Sequence, residues 1–409
     1  MNHSKLKHLI GWRYESSIVR RSMILLGLGL PAFGAGLLTN YLAAALLPAE
    51  GFGVFYVAST LVNVLYSGSL VLNLFFTRYL VSVVQAAGQE TAFAAARRVE
   101  WIVILWGSVC ATAVFLVLLM IASQFGVQSR LIVLLVILDA FTAYVADLGR
   151  ALLQSLRRTF MLGVYTLAWM LLRLLLCVVG ILAFGTAWGA LLGSVAASVI
   201  VFAGFHLGVA TRARSVRTAV QPLPSPTTLL PAVLGYGLLI AVSNLDVLLS
   251  YFFLTDGDLA VYSASSVFPK AILVATTPLL QMLFPMMMGH PADRATRIIV
   301  RKSSGVVFAL TVSGVAVFWL TSDWLCGGTW GLKLCQSPPL GILLLSVIPL
   351  ALLRVFVLLQ FARGRDWFTL WLIVPTMTYM VLAWMSVRSI ATLAEGFAVF
   401  AAAVLVCLL

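Results

Sequence analysis

Long apolar runs separated by short polar gaps cover almost the whole chain. Because a membrane-spanning helix needs roughly 20 mostly apolar residues, each run is long enough to cross a bilayer once. The pattern predicts twelve such helices, at approximately 22–47, 52–85, 99–124, 130–153, 160–184, 187–209, 229–254, 259–289, 303–324, 338–361, 366–387 and 389–408. The second and eighth runs exceed one crossing, so tilt, kinks or protrusion from the bilayer are expected there. The predicted fold class is an all-α polytopic membrane protein.

Basic residues alternate between the gaps and predict how the chain is oriented. Of the 26 lysine and arginine residues, nineteen lie in alternate gaps. They are Lys5, Lys7, Arg13, Arg20, Arg21, Arg97, Arg98, Arg150, Arg157, Arg158, Arg212, Arg214, Arg217, Arg294, Arg297, Arg301, Lys302, Arg363 and Arg365. Cationic loops stay on the cytoplasmic side of a membrane, and their distribution decides the topology. Together with the even number of spans, this distribution predicts that both termini are cytoplasmic.

A polar break at residues 211–228 divides the chain into two parts. Its basic and Pro/Ser-rich composition predicts a cytoplasmic linker between six-helix halves, 22–210 and 229–409, while residues 1–21 form an amphipathic segment at the inner interface. At an offset of 206 residues, Glu50-Gly51 matches Asp256-Gly257, Tyr56 matches Tyr262 and Asn40 matches Asp246. Such a repeat predicts halves that insert the same way round, as in parallel-repeat transporters. Chance similarity between apolar helices is the alternative.

The amino-acid composition excludes soluble proteins and argues against an enzyme. The chain has 409 residues, 62% hydrophobic and 10% charged, whereas soluble domains carry about 25% charged residues. Most of its formal charge of +13 belongs to the cytoplasmic loops, and no basic–aromatic module for nucleic acid accompanies it. P-loop, metal-ligand and nucleophile–base motifs are absent from the sequence, so we predict no enzyme activity, no cofactor and no metal.

Four basic residues lie inside the apolar runs: Arg78, Arg173, Lys270 and Arg354. An ionisable group within a bilayer is costly, and it usually faces a partner or a water-filled cavity. Arginine holds phosphate oxygens bidentately, and lysine acts as a point charge. One hypothesis is therefore a cationic lumen, formed by all four side chains, that binds a pyrophosphate or an acidic glycan headgroup.

Nearby acids support a second interpretation, in which two of these four cations are neutralised. Asp246 and Lys270 lie on consecutive antiparallel helices, at similar distances from the turn between them. Asp139 and Arg173 could pair in the same way. If both pairs form, only the other two intramembrane arginines remain available to a substrate.

Several other residues have a structural or a functional interpretation. Prolines in the eighth span are predicted to interrupt it, either as a functional hinge or as static kinks: Pro269, Pro278 and Pro285. Glycines around the sixth span follow a small-xxx-small spacing typical of helix packing: Gly185, Gly189 and Gly193. Cys326 and Cys335 share a gap predicted to lie outside, where they would form a disulfide or remain free thiols.

Two further polar features are interpreted as surface chemistry. Asp147 and Arg150 form an i,i+3 pair near an inner helix end, where long side chains reach the interface. His206 lies near the end of a span and is expected to be a solvated or interfacial histidine.

Two segments resemble polysaccharide flippases of the multidrug/oligosaccharidyl-lipid/polysaccharide (MOP) exporter superfamily. Gly36–Thr60 (GLLTNYLAAALLPAEGFGVFYVAST) is similar to helix 1, the outer loop and helix 2 of that family. Ser243–Met288 resembles helices 7 and 8, through Asn-x-Asp, an acidic-Gly turn, Tyr-Ser-Ala and Leu-Phe-Pro. The resemblance implies a MATE-like architecture and a Wzx-like flippase in the bacterial inner membrane. Its expected partners are a lipid-linked anionic glycan, membrane lipid and other polysaccharide assembly proteins.

Two alternative functions remain open at this point. The multidrug/cation antiporters of the same superfamily often use an acid in helix 1, where this chain has Asn40. Asp246 and Asp139 could nevertheless bind a coupling cation. The other alternative is a membrane subunit of an envelope polysaccharide export complex that does not itself transport.

Overall fold

The described structure is helical throughout. The computed structural model describes residues 24, 27–122, 127–213, 230–288, 294–327, 337–362, 371–387 and 389–408, and the statements below refer to them. The helices are α1 (Gly27–Leu46), α2 (Ala49–Tyr66), α3 (Gly68–Ala87), α4 (Gln89–Ala122), α5 (Val127–Ser155), α6 (Thr159–Phe184), α7 (Ala187–Ala213), α8 (Leu230–Ser243), α9 (Leu245–Phe253), α10 (Asp256–Met288), α11 (Arg294–Leu320), α12 (Ser322–Gly327), α13 (Ser337–Ala362), α14 (Ile373–Ser386) and α15 (Ile390–Leu408).

Within the described residues, apolar helices of spanning length occur at nine of the twelve positions that the sequence predicts. Nine stretches in the described ranges are long and apolar enough to cross a membrane, and three shorter apolar helices lie in α11, α14 and α15. The second span consists of α2 and α3, and the seventh of α8 and α9. The prediction of an all-α polytopic membrane protein is confirmed. The division into halves stays a prediction, because residues 1–21 and most of the linker lie outside the described residues.

Burial follows the pattern of a protein surrounded by lipid. Large apolar side chains face outward, such as Leu320 and Trp384, which are 84% and 73% exposed. Small polar and charged side chains are enclosed between helices, including Ser243 and Asp246, which are fully buried. In a bilayer the helix bundle interior is where polar groups find partners.

The eighth span is a single helix, α10, which runs from Asp256 to Met288 through all three of its prolines. The prolines therefore do not end the helix, and their interpretation as a hinge or as static kinks stays a prediction. Neighbouring helices let a membrane helix tolerate a proline without breaking. A break occurs instead in the seventh span, at Asn244 between α8 and α9, where the backbone has φ −127° and ψ 9°. Ser67, between α2 and α3, keeps helical dihedral angles, with φ −57° and ψ −33°.

Glycines allow the backbones of α6 and α7 to touch. Gly180 packs against Gly189, and Gly193 packs against the carbonyl of Leu176. Gly185 does not belong to this interface, contrary to its interpretation from spacing. It ends α6 in the left-handed conformation, with φ 65°, and a Cβ there would meet nothing within 4 Å. Its role is the helix cap that glycine accepts without steric cost.

We expect Gly193→Ala to lower the thermal unfolding midpoint of the purified protein. The added methyl group would overlap the Leu176 carbonyl, which is backbone and cannot rotate away. Overpacking of this kind costs about 1–3 kcal/mol. Gly204→Ala is the matched control on the same helix, because nothing lies within 4 Å of its Cβ position. Alanine is the better helix former, so the control should keep or raise the midpoint; equal midpoints for the two variants would contradict the packing.

The predicted halves meet closely where α2 crosses α10. A Cβ on Gly53 would lie 3.0 Å from Leu259 Cγ and 3.2 Å from the backbone nitrogen of Ala260. Gly53 and Leu259 are separated by the same offset of 206 residues as the sequence repeat. The crossing is therefore a contact between equivalent positions of the two predicted halves. It belongs to one hydrophobic core with Phe52 and Tyr262.

Candidate functional site

A buried ion pair lies at the break between α8 and α9. Lys270 Nζ, from α10, is 2.7 Å from Asp246 Oδ1 and donates to the Ser243 carbonyl at 2.6 Å. Because the helix breaks at Asn244, the ammonium can approach the backbone as well as the carboxylate. The ring of Phe397 lies 4.7 Å from Nζ and adds a cation–π contact. The ammonium is therefore partnered on several sides.

The carboxylate of Asp246 is partnered on its other oxygen. The Tyr262 hydroxyl donates to Oδ2 at 3.1 Å. Tyr379 and Tyr56 lie close enough to interact with the carboxylate electrostatically. Since Tyr56 belongs to α2, the network around Asp246 includes a residue from the predicted N-terminal half.

Arg354 lies near this pair but, among the described residues, has no acidic side chain as an ion-pair partner. The arginine is on α13 and is 6% exposed. Its Nη1 donates to the carbonyl of Leu273 at 2.9 Å, and its Nε has no hydrogen-bond partner among the described residues. The guanidinium interacts electrostatically with Lys270 and with Tyr236. Among the described residues, no carboxylate lies within ion-pair distance of it.

A second ion pair is enclosed by α5, α6 and α7. Arg173 Nη2 lies 3.2 Å from Asp139 Oδ2. Ser194 donates to the same oxygen at 2.6 Å, and Ser198 donates to Oδ1 at 3.1 Å. Both oxygens of the Asp139 carboxylate thus accept hydrogen bonds, and one of the donors is the Arg173 guanidinium. The arrangement balances the charge of Asp139 within this set of helices.

Asp147 and Arg150 form a buried pair, which corrects their interpretation as a surface pair. Their side chains are 7% and 17% exposed, and Arg150 Nη1 is 3.1 Å from Asp147 Oδ1. The guanidinium also donates to the Tyr66 hydroxyl at 3.3 Å and lies 4.7 Å from the centre of the Trp169 ring. A small cavity beside the pair is lined in part by Asn73. The i,i+3 spacing was correctly identified, but packing by α3 and α6 removes the pair from solvent.

A fourth pair joins the buried Glu100 to the partly exposed His206, a partner that the prediction of a solvated or interfacial histidine did not include. Glu100 is on α4, its side chain is 1% exposed, and its Oε1 lies 2.7 Å from His206 Nδ1 on α7. His206 itself is 33% exposed. The cations within the apolar runs do not indicate this pair, because it consists of an acid and a histidine near the ends of two spans. The signal that could have found it is the single acid at the start of the third run.

The structure does not gather the four intramembrane cations into one cluster. Arg354 interacts electrostatically with Lys270, whereas Arg173 belongs to the separate network of Asp139. Arg78 is exposed on α3 and has no hydrogen bond or ion pair among the described residues. A lumen formed by all four side chains is therefore not seen in this conformation. Binding of substrate by these residues stays a prediction.

Two other candidate positions have local roles in the structure. The Asn40 side chain donates to the carbonyl of Gly36 in its own helix, at 3.4 Å. Cys326 is disulfide-bonded. Cys335 lies outside the described residues, so the pairing of these two cysteines stays a prediction.

Solved structures similar to this chain are membrane transporters. A mutant of the Vibrio cholerae MATE transporter VcmN superposes with a TM-score of 0.69 and 18% identity, over 96% of each chain. An outward-facing multidrug resistance MATE transporter of the MOP superfamily gives 0.68 and 14% identity, over 96% of this chain and 93% of its own. A MATE transporter in complex with MaD5 gives 0.66 and 15%, over 95% and 93%. Neither a protein-family model nor a curated protein sequence matches the chain. The chain therefore has the fold of the MATE transporters of the MOP superfamily.

Proposed function

We propose that this transporter flips a lipid-linked anionic oligosaccharide, or a related exopolysaccharide precursor, across the cytoplasmic membrane of a bacterium. The substrate would cross by alternating access between the halves 22–210 and 229–409, and its lipid tail would stay in the bilayer. The observation that carries this proposal is that no acid among the described residues compensates the positive charge of Arg354. The MATE fold, with helices of spanning length around a polar interior, supports the transport step.

The charge balance of the buried groups is the basis for an anionic substrate. Five aspartate, glutamate, lysine or arginine side chains are buried in the described residues, and four of them are acids: Glu100, Asp139, Asp147 and Asp246. Each of the four lies within 4.0 Å of a basic group. Arg354 is the fifth, and its neighbour Lys270 is already balanced by Asp246. An unpaired charge away from water is costly, and a bound anion would offset that cost.

The donors of Arg354 suit a phosphate oxygen. Its Nε hydrogen has no acceptor in this conformation, and the planar guanidinium can present two parallel N–H groups to a phosphate. A pyrophosphate-linked glycan carries such oxygens at the junction of lipid and sugar. Because Arg354 is 6% exposed, helices that cover it must move before a substrate can reach it. The α2–α10 crossing at Gly53 is the contact that would open toward the outer side.

A multidrug or cation antiporter is the alternative that shares this fold. Such a protein needs, at its substrate site, an acid that is free to bind a proton, a metal cation or a cationic drug. Asp246 and Asp139 are both occupied by tethered cations, and helix α1 has Asn40 but no acid. These observations favour an anionic substrate over a cationic one.

Reconstitution of the purified chain into vesicles tests the proposal. Vesicles would contain a polyprenyl-pyrophosphate-linked oligosaccharide, and a glycosidase added outside would report the fraction that has reached the outer leaflet. We expect this fraction to rise faster with the protein than in protein-free vesicles. A vesicle with an imposed proton or Na⁺ gradient and a fluorescent cationic drug is the parallel assay.

The two assays have distinct outcomes. Gradient-driven drug efflux without glycan flipping would replace the proposal by the antiporter. Flipping that needs added polysaccharide assembly proteins would favour the subunit of a larger export complex. Flipping by the chain alone supports the proposal.

A further inference from the structure

The pair of Glu100 and His206 lies apart from the proposed substrate site. It joins α4 to α7, both in the predicted N-terminal half, whereas Arg354 belongs to α13. Glu100 follows two arginines that are predicted to be cytoplasmic, and His206 is seven residues from the end of α7. At about 1.5 Å per residue, His206 lies about 10 Å from that helix end. The pair is therefore near the predicted cytoplasmic surface.

In this contact the Glu100 side chain is buried and the His206 side chain is partly exposed. Glu100 is 1% exposed in its side chain and touches His206 Nδ1 through Oε1, while its Oε2 is buried without a hydrogen-bond partner. His206 is 33% exposed, so its other ring nitrogen can exchange protons with water at the interface. Phe202 covers part of the ring, with centroids 5.8 Å apart. A proton can thus reach the buried carboxylate through the histidine.

The electrostatics of this site favour one bound proton. Without it, a neutral histidine leaves the negative charge of Glu100 enclosed by protein. A buried charge without an opposite charge is strongly unfavourable. With one proton, the site is either an imidazolium–carboxylate pair or a carboxylic acid beside a neutral imidazole. Both forms have no net charge.

The other charged groups near this site do not replace the histidine. Arg97 and Arg98 precede Glu100 on α4, and Arg98 interacts with Tyr79 on α3. On α5, Asp147 and Arg150 pair with each other. Among the described residues of these helices and α7, only the histidine lies within ion-pair distance of the Glu100 carboxylate.

We propose that Glu100 and His206 form a proton-binding site open to the cytoplasmic side, where one bound proton holds the inner parts of α4 and α7 together. The proton comes from hydronium in the cytoplasm, which becomes water as the new N–H or O–H bond forms. Loss of the proton at higher pH leaves the carboxylate buried with its charge and weakens the contact between the two helices. The inference concerns a different ligand from the anionic substrate and does not depend on it.

Thermal unfolding as a function of pH tests this site without any substrate. The unfolding midpoint of the purified full chain should be lower at pH 8.5 than at pH 6, because the bound proton stabilises the folded site. Glu100→Gln removes the carboxylate but keeps the shape, so this part of the difference should disappear. Glu90→Gln is the matched control, since Glu90 is exposed at the start of the same helix. It should reproduce the pH profile of the natural chain.

A double-mutant cycle separates proton binding from a fixed hydrogen bond. His206→Asn can donate to the carboxylate but cannot carry the charge. The coupling between Glu100→Gln and His206→Asn should be larger at pH 6 than at pH 8.5, because only the protonated histidine pairs with the carboxylate. Coupling that is equal at both pH values would overturn the proposal, and so would a Glu100→Gln profile identical to that of the natural chain.

The cycle also remains informative if one single variant is too unstable to purify. The double variant removes both titrating groups together and leaves no unpaired charge. Its midpoint should lack the fall that the natural chain shows, and an unchanged fall would contradict the site. Since both measurements use the unfolding midpoint, a failure to flip glycans in vesicles would leave them unaffected.

Discussion

We expect Arg354→Met to stop glycan flipping while the folded protein stays at least as stable as before. The arginine is buried without an acid partner among the described residues, and its Nε lacks an acceptor. An apolar side chain of similar length removes the buried charge, which is neutral or stabilising by about 1–3 kcal/mol. If the charge exists to bind the anionic headgroup, activity should be lost. The measurements are the flipping rate in vesicles and the unfolding midpoint in detergent.

A buried arginine with a partner supplies the contrast. Arg150→Met leaves the Asp147 carboxylate enclosed by protein without its basic partner. The unfolding free energy of this variant should therefore fall by about 3–5 kcal/mol. Arg78→Met changes an exposed side chain and should leave the stability within about 0.5 kcal/mol. Full flipping activity in the Arg354→Met protein would exclude this arginine as a binding residue. A large loss of stability would show instead that the arginine has a structural partner.

Replacing Asp246 and Lys270 together should destabilise the protein by less than the sum of the two separate replacements. Either single change, Asp246→Asn or Lys270→Met, leaves one charge buried alone, at a cost of about 3–5 kcal/mol. The double change removes both charges. Its cost should therefore be well below the sum of the two single costs, and the interaction energy should exceed about 0.5 kcal/mol.

A second cycle in the same protein provides the control. Asp139 pairs with Arg173 in a different set of helices, so Asp139→Asn combined with Lys270→Met should be additive within about 0.5 kcal/mol. Unfolding in denaturant or by heat gives all of these values. Additivity of Asp246→Asn with Lys270→Met would mean that the 2.7 Å contact contributes no coupling, and the two groups would then have to be stabilised independently.

Some of the candidate site could be predicted because it follows from helix geometry. Asp246 and Lys270 lie on consecutive antiparallel helices, at nearly equal distances from the turn that joins them, so their side chains reach the same depth. The same reasoning suggested the contact between Asp139 and Arg173, whose serine partners on α7 it did not identify. A hairpin needs only local spacing to bring two residues together.

Contacts between helices that are distant in sequence could not be predicted in this way. Glu100 and His206 are on α4 and α7, and no spacing rule indicates that these helices are neighbours. The burial of Asp147 depends on residues from α3 and α6 that cover it. Arg354 reaches Leu273 on α10 across a similarly long separation. Each of these contacts can be predicted only when it is known which helices are neighbours in the folded protein.

The helix breaks show a further limit of sequence reasoning. Prolines attract attention because they remove a backbone donor, yet α10 accommodates Pro269, Pro278 and Pro285 within one helix. Asn244 interrupts the seventh span without any proline, and it is next to the carbonyl that Lys270 binds. A break is favoured where another group satisfies the freed backbone atoms, which is a property of the surrounding helices.

The sequence by itself determined that the spanning segments are helical and, for nine of the twelve predicted segments, their approximate limits in the described residues. Each span must satisfy its own backbone hydrogen bonds in lipid and must be apolar over the thickness of the bilayer, so its signal is contained within one segment. The tertiary structure alone decided which charges are balanced. Balance depends on the few ångströms between side chains of different helices, and it separates Arg354 from the four buried acids and their partners.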